Sequence, residues 1–262
     1  MKVLYAMVTR HCNLKCPHCD IRTEADDGWN EQGFMEKLKA FEGTRILFGG
    51  EPSICMERTK LAAPYCDSVS TNLLQMSDGF LEAIKMLGVA TSWTPARFAK
   101  KQEAVWLANI GRLNKKPTLL VTLTPDLVMA PGTIRFLSLV KHHGNMFSDI
   151  VLEQLEDETK PQEYYDYVDD WLCWLYKETE GQRELFPQFQ KGNRWMYDCS
   201  ETYTLLPTGE LRYGCPQYRK TEVVMACLSC PMAGICQPCR LQKNCTGPRK
   251  LMHLLGNDAP ES

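Results

Sequence analysis

The chain has 262 residues, 30 Lys and Arg against 32 Asp and Glu, a formal net charge of −2, and 13 cysteines. Such a length suits one sizeable domain or a domain with a small appendage. A hydrophobic content of 44% with 24% charged residues builds an ordinary core, which excludes wholesale disorder. The apolar runs are far shorter than the ~20 residues that span a bilayer. The N-terminus shows no secretory h-region, so the expectation is a cytoplasmic protein without a membrane partner.

In chain order, residues 2–9 form an apolar, β-rich run that ends in a cysteine loop. A helix is expected over 28–42, where Phe34, Leu38 and Phe41 recur at helical spacing. Residues 45–48 read as a short buried strand stopped by Gly49-Gly50, then a helix over 53–63 and a short strand over 67–70. Residues 77–87 read as a helix with a Ser/Asp cap. Strands over 89–93, 118–124 and 149–155 alternate with helices over 98–113, 132–143 and 161–179. Six strand–helix units with short links imply parallel strands with helices packed outside. Six are too few for a closed eight-unit barrel, so the expected fold is α/β, an open partial (β/α)6 barrel working at the C-terminal ends of its strands. Past residue 195 the texture changes. Residues 203–206 and 210–213 flank Pro207-Thr208-Gly209, a hairpin signal. The residues beyond the hairpin are rich in Cys, Pro and Gly, apart from a helical pattern near 248–255, and would need a metal as their core. The reading divides the chain into 1–190 and a small Cys-rich extension, 191–262.

The cysteines are bunched. Three lie within residues 12–19 and seven within 199–245, with Cys55, Cys66 and Cys173 between them as ordinary half-buried thiols. In a reducing compartment such bunching points to metal ligation rather than disulfides. Cys12, Cys16 and Cys19 are spaced to hold three irons of a cubane 4Fe–4S cluster and leave the fourth open to a reactant. A three-ligand zinc site or core thiols is the alternative. In the second group, Cys227-x2-Cys230-x5-Cys236-x2-Cys239 is dense enough for metal, with a structural zinc ribbon as the alternative.

The run Thr9-Arg10-His11-Cys12-Asn13-Leu14-Lys15-Cys16-Pro17-His18-Cys19 resembles the signature of the radical S-adenosylmethionine (SAM) superfamily, and Gly49-Gly50-Glu51-Pro52 stands where that family carries its methionine-binding motif. The resemblance covers residues 1 to about 180. It makes Cys12, Cys16 and Cys19 the ligands of a catalytic 4Fe–4S cluster, with Gly49, Gly50, Glu51 and Pro52 around bound SAM. Two glycines let backbone approach a ligand, and Glu51 can accept from the SAM ammonium. By the same resemblance Thr71 and Asn72, which close the third strand as in similar sequences, and Ser92 in the fourth, where polar residues commonly contact the ribose, are SAM-binding residues, with ordinary polar strand ends as the alternative. His18 stands where relatives often carry an aromatic residue near the adenine. The implied chemistry is reductive cleavage of SAM to a 5′-deoxyadenosyl radical that abstracts a substrate hydrogen, with electrons from a flavodoxin- or ferredoxin-type donor.

The second group resembles the SPASM extension of many radical SAM enzymes. That resemblance assigns Cys199, Cys215 and Cys239 to one auxiliary 4Fe–4S cluster, and Cys227, Cys230, Cys236 and Cys245 to another. Seven thiolates do not fill eight positions, so one auxiliary cluster or two is left open. Relatives with this extension most often modify peptides. Because the cluster loop starts at residue 12, the leader-gripping N-terminal domain of many of those relatives is not expected here.

Residues 91–118 hold Arg97, Lys100, Lys101, Arg112, Lys115 and Lys116 against Glu103 alone, interleaved with Trp93, Phe98 and Trp106. Residues 153–180 carry ten acids against two lysines. A basic stretch with aromatics can hold phosphates and stack bases; a solvated helix face with its aromatics in the core is the plainer reading. The expected substrate is a nucleobase-linked group in nucleic acid or nucleotide, modified or isomerised by a radical route, with peptide modification as the alternative. Glu153 and Gln154 close the sixth strand as possible substrate contacts or ordinary polar strand ends.

Overall fold

A computed structural model describes residues 2–16, 19, 21–23, 25, 27–98, 100–154, 162–179, 185–186 and 202–213. Cys199, Cys215, Cys227, Cys230, Cys236, Cys239, Cys245, His18 and the helical pattern near 248–255 lie outside the described residues.

The strands are β1 Val3–Thr9, β2 Thr44–Gly49, β3 Ser68–Ser70, β4 Gly88–Trp93, β5 Thr118–Leu123, β6 Asp149–Gln154, β7 Thr202–Leu205 and β8 Leu211–Tyr213. The helices are α1 Glu31–Ala40, α2 Met56–Ala62, α3 Asp78–Ile84, α4 Lys100–Ile110, α5 Pro125–Val128, α6 Ala130–His143 and α7 Gln162–Glu178. The strands form one open, mostly parallel sheet in the order β6-β5-β4-β3-β2-β1-β7-β8. Parallel pairing joins β1 to β2, β2 to β3 and β3 to β4. Consecutive strands separated by helices pair in this way because the crossover segment needs room on the sheet face.

Two compact units divide the described residues: 2–92, 96–118 and 202–213 form one, and 93–95 with 119–186 the other. In the first unit β1 is almost wholly buried, as a central parallel strand must be, with Leu4, Ala6 and Val8 at 0% exposure. Phe34 and Leu38 of α1, Leu47 of β2, Val69 of β3, Phe80 of α3 and Trp106 of α4 complete its core. Helix α1 starts at Asn30, whose side chain accepts from the Gly33 amide at 3.1 Å, and Ser77 caps α3 in the same manner on Phe80. The second unit is built around Phe136 of α6, whose ring centre lies 6.1, 6.0 and 6.3 Å from those of Trp93, Trp171 and Phe186.

Two features differ from the pattern read along the chain. Pro125 opens an extra short helix, α5, and α6 then starts at Ala130 rather than 132. The hairpin β7–β8, read as the start of the Cys-rich extension, instead joins the sheet: β7 pairs parallel with β1, and β8 forms the antiparallel edge. Its turn is pinned to α1, with Asn30 N–H donating to Pro207 O at 2.9 Å and Lys37 Nζ to Gly209 O at 2.6 Å. Gly209 has φ +79°, and a Cβ there would lie 2.9 Å from the Gly33 carbonyl carbon.

Candidate functional site

The C-terminal ends of β1, β2 and β3 are joined by a dense set of buried polar contacts. Strand β1 ends at Thr9 and runs directly into the loop of Cys12, Cys16 and Cys19. The Gly49-Gly50-Glu51-Pro52 turn that leaves β2 is bonded to the root of this loop: Gly50 N–H donates to Thr9 O and Glu51 N–H to His11 O, both at 2.8 Å. The approach is close enough to explain both glycines. Gly49 has φ +150° and a Cβ there would meet Thr9 O at 2.3 Å; at Gly50 it would meet His11 O at 2.0 Å. The glycines therefore serve an approach between two backbones of the protein itself, beyond the approach to a ligand that their pattern suggests.

Glu51 is 1% exposed, and its carboxylate is held by three donors: Ser53 N–H at 3.0 Å, Thr71 Oγ1 at 2.6 Å and Asn72 N–H at 2.7 Å. The charge is thereby spread over donors from the end of β3 as well as its own turn. Pro52 is buried at the start of a short 3-10 turn, and the Ser53 hydroxyl beside it is buried without a hydrogen-bond partner. Asn72 reaches back to the cysteine loop. Its Nδ2 donates to Asn13 Oδ1 at 2.7 Å and lies 3.9 Å from Cys12 Sγ. The structure thus brings together Cys12, Gly49, Gly50, Glu51, Pro52, Thr71 and Asn72.

Burial pushes the Cys12 and Cys16 thiols above their ordinary range, and the positive charge of Arg97 works against that rise at both. Arg97 follows β4. Its Nη1 donates to the Ser92 hydroxyl, its guanidinium carbon lies 5.6 Å from the centre of the Phe98 ring, and its buried Nε has no hydrogen-bond partner. Ser92 is half-buried and engaged by Arg97. Cys16 O accepts from Cys19 N–H at 3.1 Å, and Cys19 is exposed. Among the described residues no group of three His, Cys, Asp or Glu side chains sits as closely as one metal ion requires. A four-iron cluster takes each thiolate on a different iron and does not impose that mutual contact. Three part-exposed thiols on one loop, with a cation close to two of them, are a donor set that suits such a cluster.

A second group, not apparent from spacing, closes the loop. Asp27, 6% exposed, accepts from Thr9 Oγ1 at 3.0 Å, from Arg10 N–H at 3.2 Å, and at 2.9 and 2.8 Å from Arg58 Nη1, which also donates to Val8 O at 3.1 Å. The Arg58 guanidinium covers the Trp29 ring at 4.8 Å. Burial alone would raise the Asp27 carboxyl, but the donors from Arg58, Arg10 and Thr9 outweigh it and hold the group below the usual carboxylate range. Arg58 lies on α2, one turn beyond the Gly-Gly-Glu-Pro segment, so the same short stretch holds both stems of the loop. Asp27 and Arg58 carry no motif signal, Asn13 stands in the cysteine run with no role of its own read from it, and Arg97 was visible only as one cation of a basic stretch.

That stretch does not form a stacking surface. Trp93 and Trp106 are 0% exposed and Phe98 4%. Trp106 donates its indole N–H to Thr91 Oγ1 at 2.9 Å, as a core tryptophan does. Arg112 is committed to Met76 O at 2.6 Å and Asp78 at 2.9 Å, while Lys101, Lys115 and Lys116 are exposed. In the second unit, burial pushes the Glu153 carboxyl up to about 7. Cys55, Cys66 and Cys173 are half-buried, as expected. Among the described residues no helix is long and apolar enough to cross a membrane.

No protein-family model matches the chain, and no curated protein matches it in sequence.

Proposed function

We propose that the protein is a radical SAM enzyme: an open partial barrel whose Cys12, Cys16 and Cys19 hold a 4Fe–4S cluster, followed by an iron–sulfur extension ligated by Cys199, Cys215, Cys227, Cys230, Cys236, Cys239 and Cys245. The observation that carries this reading is the direct bonding of the cysteine loop to the Gly49–Pro52 turn and to Asn72, which ties three sequence motifs from separate strands into one hydrogen-bonded network. When bound, the cluster supplies the electron that cleaves SAM and so generates the hydrogen-abstracting radical.

The chain's own residues would do the positioning. Glu51, saturated on its inner side by three donors, keeps acceptor capacity for one further N–H, such as the SAM ammonium. Arg97, with an unpaired buried Nε, can donate to the SAM carboxylate, and Ser92, beside it, to the ribose. Thr71 acts through Glu51 by fixing its carboxylate. A flavodoxin- or ferredoxin-type protein would deliver the electron.

For the substrate we propose a nucleobase-linked group in nucleic acid or nucleotide, modified or isomerised by the radical route. The exposed cation Lys101, on α4 just after the C-terminal end of β4, supports it. The second reading, modification of a peptide, gains from the burial of Trp93, Phe98 and Trp106, which removes the base-stacking argument. The test is release of 5′-deoxyadenosine from anaerobically reconstituted, reduced protein, alone and with nucleic acid, nucleotides or a peptide pool. Stimulation by nucleic acid or nucleotides supports the first substrate class, and stimulation by peptide alone replaces it with the second. Wild-type protein that releases no more than the Cys12→Ala/Cys16→Ala/Cys19→Ala variant under all conditions overturns the enzyme reading.

A further inference from the structure

We propose that Asn72 is a positioning residue for Cys12: its side-chain N–H holds the cysteine sulfur and raises the reduction potential of the cluster that this sulfur ligates. The inference rests on the radical SAM reading and gives Asn72 a task distinct from contact with SAM.

Asn72 is 1% exposed, and its backbone N–H and both polar atoms of its side chain are directed. Its backbone N–H donates to Glu51 Oε2 at 2.7 Å, and its Oδ1 accepts from Leu74 N–H at 3.0 Å. With the oxygen taken by Leu74, the amide nitrogen faces the cysteine loop. An amide nitrogen carries two hydrogens. Asn13 Oδ1 takes one at 2.7 Å, and Cys12 Sγ, 3.9 Å from the same nitrogen, lies within reach of the other. Cys12 Sγ also accepts from Leu14 N–H at 3.4 Å. Among the described residues no side-chain donor is bonded to Cys16 or Cys19, so the three thiols are not equivalent. Hydrogen bonds to ligand sulfurs are among the main determinants of iron–sulfur potentials. A donor aimed at the sulfur stabilises the more negative, reduced cluster, so its loss makes the cluster harder to reduce.

The experiment is a redox titration of the holoenzyme followed by electron paramagnetic resonance. Signals that survive in the Cys12→Ala/Cys16→Ala/Cys19→Ala variant are subtracted as belonging to other clusters. Asn72→Ala removes the donor without adding charge, and Asn72→Leu removes it, also without charge, at nearly the same volume. Both are expected to keep wild-type iron and sulfide, with the ratio of reduced to oxidised cluster at a fixed poise lowered about tenfold, equivalent to 59 mV for a one-electron couple. An unchanged potential in a variant that retains the cluster overturns the assignment. So does loss of the cluster from both variants, which would make Asn72 a structural anchor only. Wild-type protein with no cluster signal beyond that of the triple-cysteine variant sinks the radical SAM reading itself, and is distinguished from both by being read before any Asn72 variant.

Discussion

At the C-terminal ends of β1, β2 and β3 the carboxylates of Asp27 and Glu51 are 6% and 1% exposed, each satisfied by at least three donors. Elsewhere in the same unit, on α3 and at the N-terminal end of β3, equally acidic residues lie in water. Asp78 pairs with Arg112 while its side chain is 99% exposed, Glu82 pairs with Lys85 on the surface of α3, and Asp67 takes the Arg45 amide at 2.7 Å from an exposed position. The residue types are the same and the physics is not. Exposed pairs are screened and contribute little, whereas a buried carboxylate leaves several donors stranded if it is lost. The difference locates the geometry that matters. Among the described residues, the buried carboxylates of this unit lie where the cysteine loop is rooted.

Four substitutions break or sharpen this contrast. Gly50→Ala is expected to be the most severe, because the new Cβ would lie 2.0 Å from the carbonyl oxygen of His11. The turn must separate from the loop, at about 4 kcal/mol, and iron retention should fall with it. Denaturant unfolding and iron content of the same preparation check both, and a variant with wild-type values for each would show that the two backbones do not need their close approach. Asp27→Asn comes second, at about 2–3 kcal/mol for the loss of the charge facing Arg58. Because the Asp27 carboxyl is held below its ordinary range, its contribution is present above pH ~4 and disappears as pH falls through the lowered value. The gap between wild type and variant should therefore close in acid, as read by thermal unfolding across pH.

Glu153→Gln tests a strand-end carboxyl of the second unit with the opposite sign. Burial raises its pKa to about 7, so the folded protein holds a proton that the unfolded chain releases near 4.5. Wild-type stability should decline between pH ~4.5 and ~7 by about 3 kcal/mol, and the Gln variant should lack this decline. A parallel pair of pH–stability curves would contradict it. Asp78→Asn closes the series: its exposed partnership with Arg112 predicts less than ~0.5 kcal/mol at any salt concentration.

Local pattern made most of the elements legible. A short, mostly apolar run marks β5, whose residues turn out buried at every second position, and a Ser-Asp start marks α3. The cysteine spacing and the Gly-Gly-Glu-Pro run stood out because each is a short, contiguous signal. Partnerships across long separations were not visible. Pairing of Val3 with Thr202 depends on which edge of a parallel sheet is open, and nothing in a hairpin's own residues states that. The aromatics of the basic stretch were equally ambiguous, since the periodicity that would line a stacking groove also turns Trp106 toward Thr91 and the core.

The order and type of strands and helices, and the candidate ligands Cys12, Cys16 and Cys19, were thus determined along the chain itself, where hydrophobic period and residue spacing act within a few residues. Only the tertiary structure decided what those residues touch. It set the Gly49-Gly50 backbone against that of Thr9 and His11, turned Asn72 toward Cys12, and made Asp27 and Arg58 the clasp of the loop. The reason is that the free energy of a buried polar group is set by the donors and acceptors that the fold gathers around it, and these arrive from strands that are distant in sequence.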